Sequence, residues 1–198
     1  LSDQVLRNIG RRHTARDIRE AFCTAREVGF ACINMDLIAG LPQDSVEGFR
    51  DSLEEVLALR PENITVHTLA MKKGSRLMEE GGALPSGEET ARMVDLSLEA
   101  LEGAGYRPYY LYRQKYMSGG LENVSWCLPG TENHYNIIMM EELQSVLSLG
   151  AGGVTKLVDR SSGRIVRLTN PKYPHDYLAM SAKVLEQKDE ILRFYREV

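Results

Sequence analysis

Long hydrophobic runs are missing from this sequence: no apolar stretch approaches the ~18 residues of a membrane span, and no signal-peptide pattern opens it. Cysteine is scarce and unpaired in pattern. Cys23, Cys32 and Cys127 are scattered and odd in number, which argues against a disulfide framework and for a reducing, cytoplasmic setting. No two of them sit at metal-clip spacing, so no metal site is assigned to these residues. Excess charge of one sign is also missing. The 24 basic and 28 acidic residues leave a net charge of -4, which gives no global electrostatic case for nucleic acid or an anionic membrane as partner. Disorder is disfavoured too, because 43% hydrophobic and 26% charged residues is an ordinary globular balance. The 198 residues fit one or two domains.

What is present alternates between helix and strand patterns. Leu1 to Ile9 has helical spacing. Thr14 and Asp17 form a capping box ahead of the stripe Ile18, Ala21, Phe22, Ala25 and Val28, and Gly29 closes that helix. Phe30 to Ile38 reads as a buried strand. Ala31, Ile33, Met35 and Leu37 form one face, and Cys32, Asn34, Asp36 and Ile38 the other. After Gly40-Leu41-Pro42, Asp44 and Glu47 can cap a helix with the stripe Phe49, Leu53, Val56 and Leu57, which Pro61 stops. Ile64 to Leu69 is a second strand. Ser86 and Glu89 cap a helix carrying Ala91, Val94, Leu98 and Leu101. Tyr106 to Tyr112 is a third strand, with Pro108 suited to an edge. This order predicts an α/β fold with a parallel sheet and helical crossovers over residues 1–112.

Residues 113–198 differ in character and are expected to form a smaller α+β closing domain. Arg113 to Thr131 reads as a long loop, and Tyr135 to Leu149 is apolar without a decisive period. Thr155 to Asp159 and Arg164 to Leu168 flank Ser161-Ser162-Gly163 as a hairpin. Tyr177 to Val198 reads as one closing amphipathic helix with Leu178, Leu185, Leu192 and Tyr195.

Several residues could carry chemistry. Asp36 is a carboxylate expected near the C-terminal end of its strand, where α/β folds bind ligands. It either accepts two ribose hydroxyls or serves as a salt-bridged structural Asp, and the pattern leaves both open. Gly10-Arg11-Arg12-His13 lies between helices; a guanidinium fork there suits a carboxylate or phosphate, and the alternative is a solvated basic turn. His67 reads as a hydrogen-bonded core residue beside Thr65. Leu149 to Gly153 is glycine-rich but matches neither phosphate-binding nor dinucleotide fingerprints, and taken alone it is a structural turn. Tyr112-Arg113-Gln114-Lys115-Tyr116 and Met71-Lys72-Lys73 put basic groups after the third and second strands, which suits an anionic substrate or a surface ion-pair patch.

Taken together, Ile9-Gly10-Arg11-Arg12-His13, Asn34-Met35-Asp36-Leu37-Ile38-Ala39-Gly40-Leu41-Pro42, His67-Thr68-Leu69 and Leu149-Gly150-Ala151-Gly152 resemble the radical S-adenosylmethionine enzymes of haem biosynthesis. These are the oxygen-independent coproporphyrinogen III dehydrogenases (oxidases). Tyr112 to Lys115, Leu121-Glu122-Asn123-Val124 and Tyr135 to Glu142 are similar to one bacterial branch of that family. The resemblance implies the latter strands and helices of a partial, open (β/α) barrel, followed by the closing domain. It also implies a [4Fe-4S] cluster on a Cys-x-x-x-Cys-x-x-Cys loop. S-adenosylmethionine is chelated there and cleaved to a 5′-deoxyadenosyl radical, and coproporphyrinogen III propionates are converted to the vinyl groups of protoporphyrinogen IX.

Carried onto this chain, Arg11 matches the residue contacting the methionyl carboxylate, Asp36 the one holding the ribose hydroxyls, and Gly150 and Gly152 the segment lining the cofactor cavity. Arg113 and Lys115 are assigned to substrate propionates from charge alone. The cluster cysteines, the early strands and a cofactor-binding Gln expected just before Leu1 are not in this sequence, so it is expected to be the C-terminal portion of a longer enzyme, inactive alone. The implied partners are a tetrapyrrole substrate and an electron donor of unknown identity. The competing readings are a haem chaperone, a haem-opening methyltransferase of the same superfamily, or a non-catalytic binding module.

Overall fold

A computed structural model of the chain describes residues 1–70, 83–112 and 121–196. It divides into two compact units, Leu1–Glu132 and Asn133–Val198.

In the first unit, α1 (Asp3–Asn8) and α2 (Ala15–Val28) are separated by a short turn. The expected capping box forms: Thr14 Oγ1 accepts from the Asp17 amide and the Asp17 carboxylate accepts from the Thr14 amide at 2.7 Å. Gly29 ends α2 at φ +97°, a left-handed conformation that glycine adopts without a Cβ penalty. β1 is Asn34–Ala39, shorter than the sequence pattern suggests, and Phe30 is exposed ahead of it. α3 (Val46–Leu59) is capped by Ser45, which accepts from the Gly48 amide at 3.0 Å, rather than by Asp44. It stops at Arg60, one residue before Pro61.

β2 (Asn63–Thr68), α4 (Gly87–Gly103) and β3 (Arg107–Tyr112) follow, and α4 opens with the Ser86–Glu89 capping box. The buried stripe of α4 is Thr90, Met93, Ser97 and Leu101; of the expected apolar set Leu101 is buried and Val94 packs against the core, whereas Leu98 is exposed. Burying Thr90 and Ser97 is inexpensive because each hydroxyl donates within its own helix, to Ser86 O at 2.9 Å and Val94 O at 2.6 Å.

The sheet is mixed and open, in the order β1-β2-β4-β3. β1 and β2 pair in parallel, as expected. β4 (Asn123–Cys127) comes from the stretch that reads as a loop in the sequence, and it runs antiparallel between β2 and β3. A purely parallel sheet is therefore corrected to a mixed one. The segment hid because its alternate residues Asn123, Ser125 and Cys127 are nearly all polar, yet buried. β3 is an edge, consistent with Pro108, and its register shifts between Pro108 and Tyr110.

The two sheet faces have opposite chemistry. Leu37, Ala39, Ile64, Val66 and Trp126 pack with Phe49, Leu53 and Val56 of α3 and Met93 and Leu101 of α4. Each such fully buried side chain contributes about 1.5–3 kcal/mol. Asn34, Asp36, Thr65, His67, Ser125 and Tyr112 fall on the other face by strand alternation.

The second unit contains α5 (His134–Met140), the hairpin β5 (Val154–Asp159) and β6 (Arg164–Thr169), α6 (Pro174–Ala179) and α7 (Ser181–Arg196). The closing helix is thus two helices, broken at Met180. Phe194 and Ile191 pack against Leu157, Leu168 and Val166. Leu178, Leu185, Leu192 and Tyr195, the stripe expected to be buried, are exposed.

Candidate functional site

A cavity of about 680 Å³ opens in the first unit between the α1–α2 turn and the ends of β1 and β2. Arg11 and Asp36 both line it. Arg11 is placed by the turn: Gly10 takes φ +73°, and the Arg11 amide then donates back to Leu6 O at 2.9 Å. The Thr14 capping box pins the far end. Its lining includes apolar side chains, among them Val5, Ile9, Ile18, Leu41 and Phe49, and polar ones, among them Asp36, His67, Tyr112 and Asn123.

Asp36 is the third of six residues in β1, not near its C-terminal end, and its side chain is 58% exposed. Its register partner on β2 is Thr65, and His67 stands opposite Ile38. The Asn34 amide donates to Asp36 Oδ1 at 2.6 Å, and Thr65 Oγ1 in turn donates to Asn34 Oδ1 at 3.1 Å. His67 Nε2 lies 3.6 Å from Asp36 Oδ2, a close approach rather than a closed hydrogen bond. The other ring nitrogen, Nδ1, is 3.1 Å from the Tyr112 hydroxyl. His67 first, and Asn34 after it, hold the Asp36 carboxyl below its ordinary range against partial burial, which acts the other way. Asp36 is therefore ionised at neutral pH and keeps outward lone pairs for a ligand.

His67 belongs to this cluster and is only half-buried, whereas its sequence context suggests a core residue. The available signal was the pair of i, i+2 polar alternations, Asn34/Asp36 and Thr65/His67, on neighbouring strands. Gly150 and Gly152 lie in the second unit at φ +89° and +71°. There Asn170 Nδ2 donates to Gly150 O at 2.9 Å and the Gly152 amide to Pro171 O at 2.7 Å, a turn closed on itself. Arg113 and Lys115, like Met71 to Lys73, lie outside the described residues.

The cavity has a volume in the range of ligand pockets, and its lining includes a carboxylate, a guanidinium and apolar side chains, groups compatible with a nucleoside-bearing amino acid. An iron–sulfur cluster does not fit the residues present. Among the described residues no group of three or more His, Cys, Asp or Glu could hold a metal. Cys127 is buried, and burial with Glu132 nearby pushes its thiol up to about 11, so it resists forming the thiolate a metal needs. Among the same residues no helix is long and apolar enough to cross a membrane.

The mixed α/β fold is that of a radical S-adenosylmethionine enzyme: it matches coproporphyrinogen III oxidase (HemN) from Escherichia coli with a TM-score of 0.63 and 20% identity, over 86% of this chain and 38% of that one. Along its length the chain is similar to proteins named for the oxygen-independent coproporphyrinogen III oxidases. The oxygen-independent coproporphyrinogen-III oxidase-like protein HemZ of Bacillus subtilis is 39% identical over 198 residues, 99% of this chain and 39% of that protein. The heme chaperone HemW of B. subtilis is 30% identical over 125 residues, 61% of this chain and 32% of that protein. The oxygen-independent coproporphyrinogen III oxidase of Pseudomonas aeruginosa is 32% identical over 108 residues, 52% of this chain and 23% of that protein. No protein-family model matches. The chain spans about two fifths of the length of its 39%-identical relative.

Proposed function

We propose that the cavity of the first unit binds S-adenosylmethionine, with Asp36 accepting the two ribose hydroxyls and Arg11 pairing with the methionyl carboxylate. The observation that carries this reading is that the two side chains line one cavity of about 680 Å³. A carboxylate and a guanidinium at separate places in one pocket match the two polar ends of this ligand, and the apolar side chains suit what lies between them. In a protein of this family that also carries a cluster loop, S-adenosylmethionine on a [4Fe-4S] cluster supplies one-electron, hydrogen-abstracting chemistry. The reaction we propose for it is oxidative decarboxylation of coproporphyrinogen III propionates to vinyl groups, with an electron donor as partner. The residues of this chain orient the nucleoside, and the apolar ones screen it from water. Arg113 and Lys115 as propionate contacts are part of the same proposal.

Equilibrium dialysis of the chain with S-adenosylmethionine tests the assignment. Arg11→Ala and Asp36→Ala are each expected to weaken binding by about tenfold or more, the scale of a charge-assisted contact. Unchanged affinity in both variants returns these residues to a structural role. The chain alone is expected to take up no cluster on anaerobic reconstitution, read by visible absorbance and iron counting.

The similarity to HemW, named a heme chaperone in several bacteria, favours a second reading in which the tetrapyrrole is haem that is carried and handed on. Stoichiometric haem binding without vinyl product would select it.

A further inference from the structure

We propose that His67 is a positioning residue for nucleoside recognition: from β2 it fixes the Asp36 carboxylate so that its outward lone pairs meet a vicinal diol. This rests on the reading of Asp36 as the ribose acceptor.

Asp36 is gripped from both sides by groups that are themselves held. On one side Asn34 Nδ2 donates to Oδ1 at 2.6 Å, and Asn34 is anchored by Thr65, whose hydroxyl also lies 2.7 Å from Ser125 Oγ. On the other side His67 Nε2 faces Oδ2 at 3.6 Å, while Tyr112 holds Nδ1 at 3.1 Å. The Tyr112 contact at Nδ1 fixes the ring so that Nε2 faces Asp36. Each carboxylate oxygen has about two acceptor sites. Asn34 occupies a site on Oδ1 and His67 flanks Oδ2, which confines the carboxylate while its exposed side keeps acceptor sites for a ligand. Without His67 the carboxylate can rotate about its terminal torsion, which is broad for Asp, and the paired geometry is lost. The four strands bring these groups together only through register, Asp36 opposite Thr65, Thr65 opposite Ser125 and Tyr112 opposite Asn123.

The test isolates the diol. Dissociation constants of the 198-residue chain for adenosine and for 2′,3′-dideoxyadenosine are measured by equilibrium dialysis, and their ratio is compared among variants. In the unaltered chain the ratio is expected to be about tenfold or more in favour of adenosine, the scale of two hydroxyls accepted by a charged group. His67→Ala should collapse the ratio to within about twofold by lowering adenosine affinity more than dideoxyadenosine affinity. Damage to the pocket as a whole would instead lower both affinities alike. His67→Gln, whose side-chain amide can donate from near the place of Nε2, should restore most of the ratio, and Tyr112→Phe should give an intermediate value. Circular dichroism confirms folding, and His67→Gln and Tyr112→Phe keep the test decisive if His67→Ala fails to fold. A folded His67→Ala with an undiminished ratio overturns the inference and leaves Asp36 as ribose acceptor standing. His67→Gln as poor as His67→Ala also overturns it, since donation would then not be the reason. An unaltered chain that does not distinguish the two nucleosides overturns both readings.

Discussion

Asp159 and Asp36 are both carboxylates held by hydrogen bonds, and they differ in what the bonds are for. Asp159 closes the β5–β6 turn: Ser162 Oγ donates to one oxygen, and the Ser161 amide and hydroxyl donate to the other at 2.9 and 2.7 Å. Those donors, Ser162 foremost, pull its carboxyl down to about 2. A depressed folded value means that its contribution to stability is fully present above the unfolded value near 4 and is lost as pH falls toward about 2. The side-chain carbonyl resonance is expected to titrate with a midpoint near 2, and Asp159→Asn should remove that acid-side loss of hairpin stability. Asp36, in contrast, leaves acceptor sites unfilled. Its importance was legible from a carboxylate in an otherwise apolar strand. The partnership with His67 was not, because a contact between neighbouring strands depends on register, and no single strand's pattern carries register.

Helix boundaries were the most readable elements, since capping chemistry is local. Thr14/Asp17 and Ser86/Glu89 act as their spacing suggests. Ser86→Ala is therefore expected to cost about 1 kcal/mol, read from the urea midpoint. Arg60 offers the opposite case. It ends α3 at φ +53°, where a side chain is strained. Arg60→Gly should raise stability by about 1 kcal/mol in the same measurement. β4 was illegible for a definite reason: its buried polar side chains are satisfied by hydrogen bonds to β2. The Ser125 hydroxyl meets that of Thr65 at 2.7 Å, and Asn123 Oδ1 accepts from the Thr68 backbone N–H at 2.8 Å. The stripe of α7 misleads in the other direction. Leu185 and Leu192 keep perfect helical spacing, yet Ile191 and Phe194 make the packing.

At the scale of the whole molecule the two units have cores of unequal size. The first joins two helices to a four-stranded sheet around Phe49, Leu53, Ile64, Met93 and Leu101. The second rests on Leu157, Leu168 and Phe194. Hydrogen exchange should therefore show amides of β5 and β6 opening at lower free energy than those of β2. Leu53→Ala is expected to cost about 2–5 kcal/mol and to change protection in the first unit while leaving that of β5 and β6 as it was. Equal protection of both sheets in the unaltered chain would contradict separate cores.

The threading of β4 has a consequence for synthesis. As the nascent polypeptide leaves the ribosome, β1 can zip onto one side of β2 early, but the strand that covers β2's other side arrives only with Asn123–Cys127, after α4 and β3 have already emerged. β3 has nowhere to dock in the meantime, because its neighbour is that same late strand. Translation thus leaves a bare strand margin waiting for tens of residues, the interval in which a chaperone, or another copy's strand, competes for it.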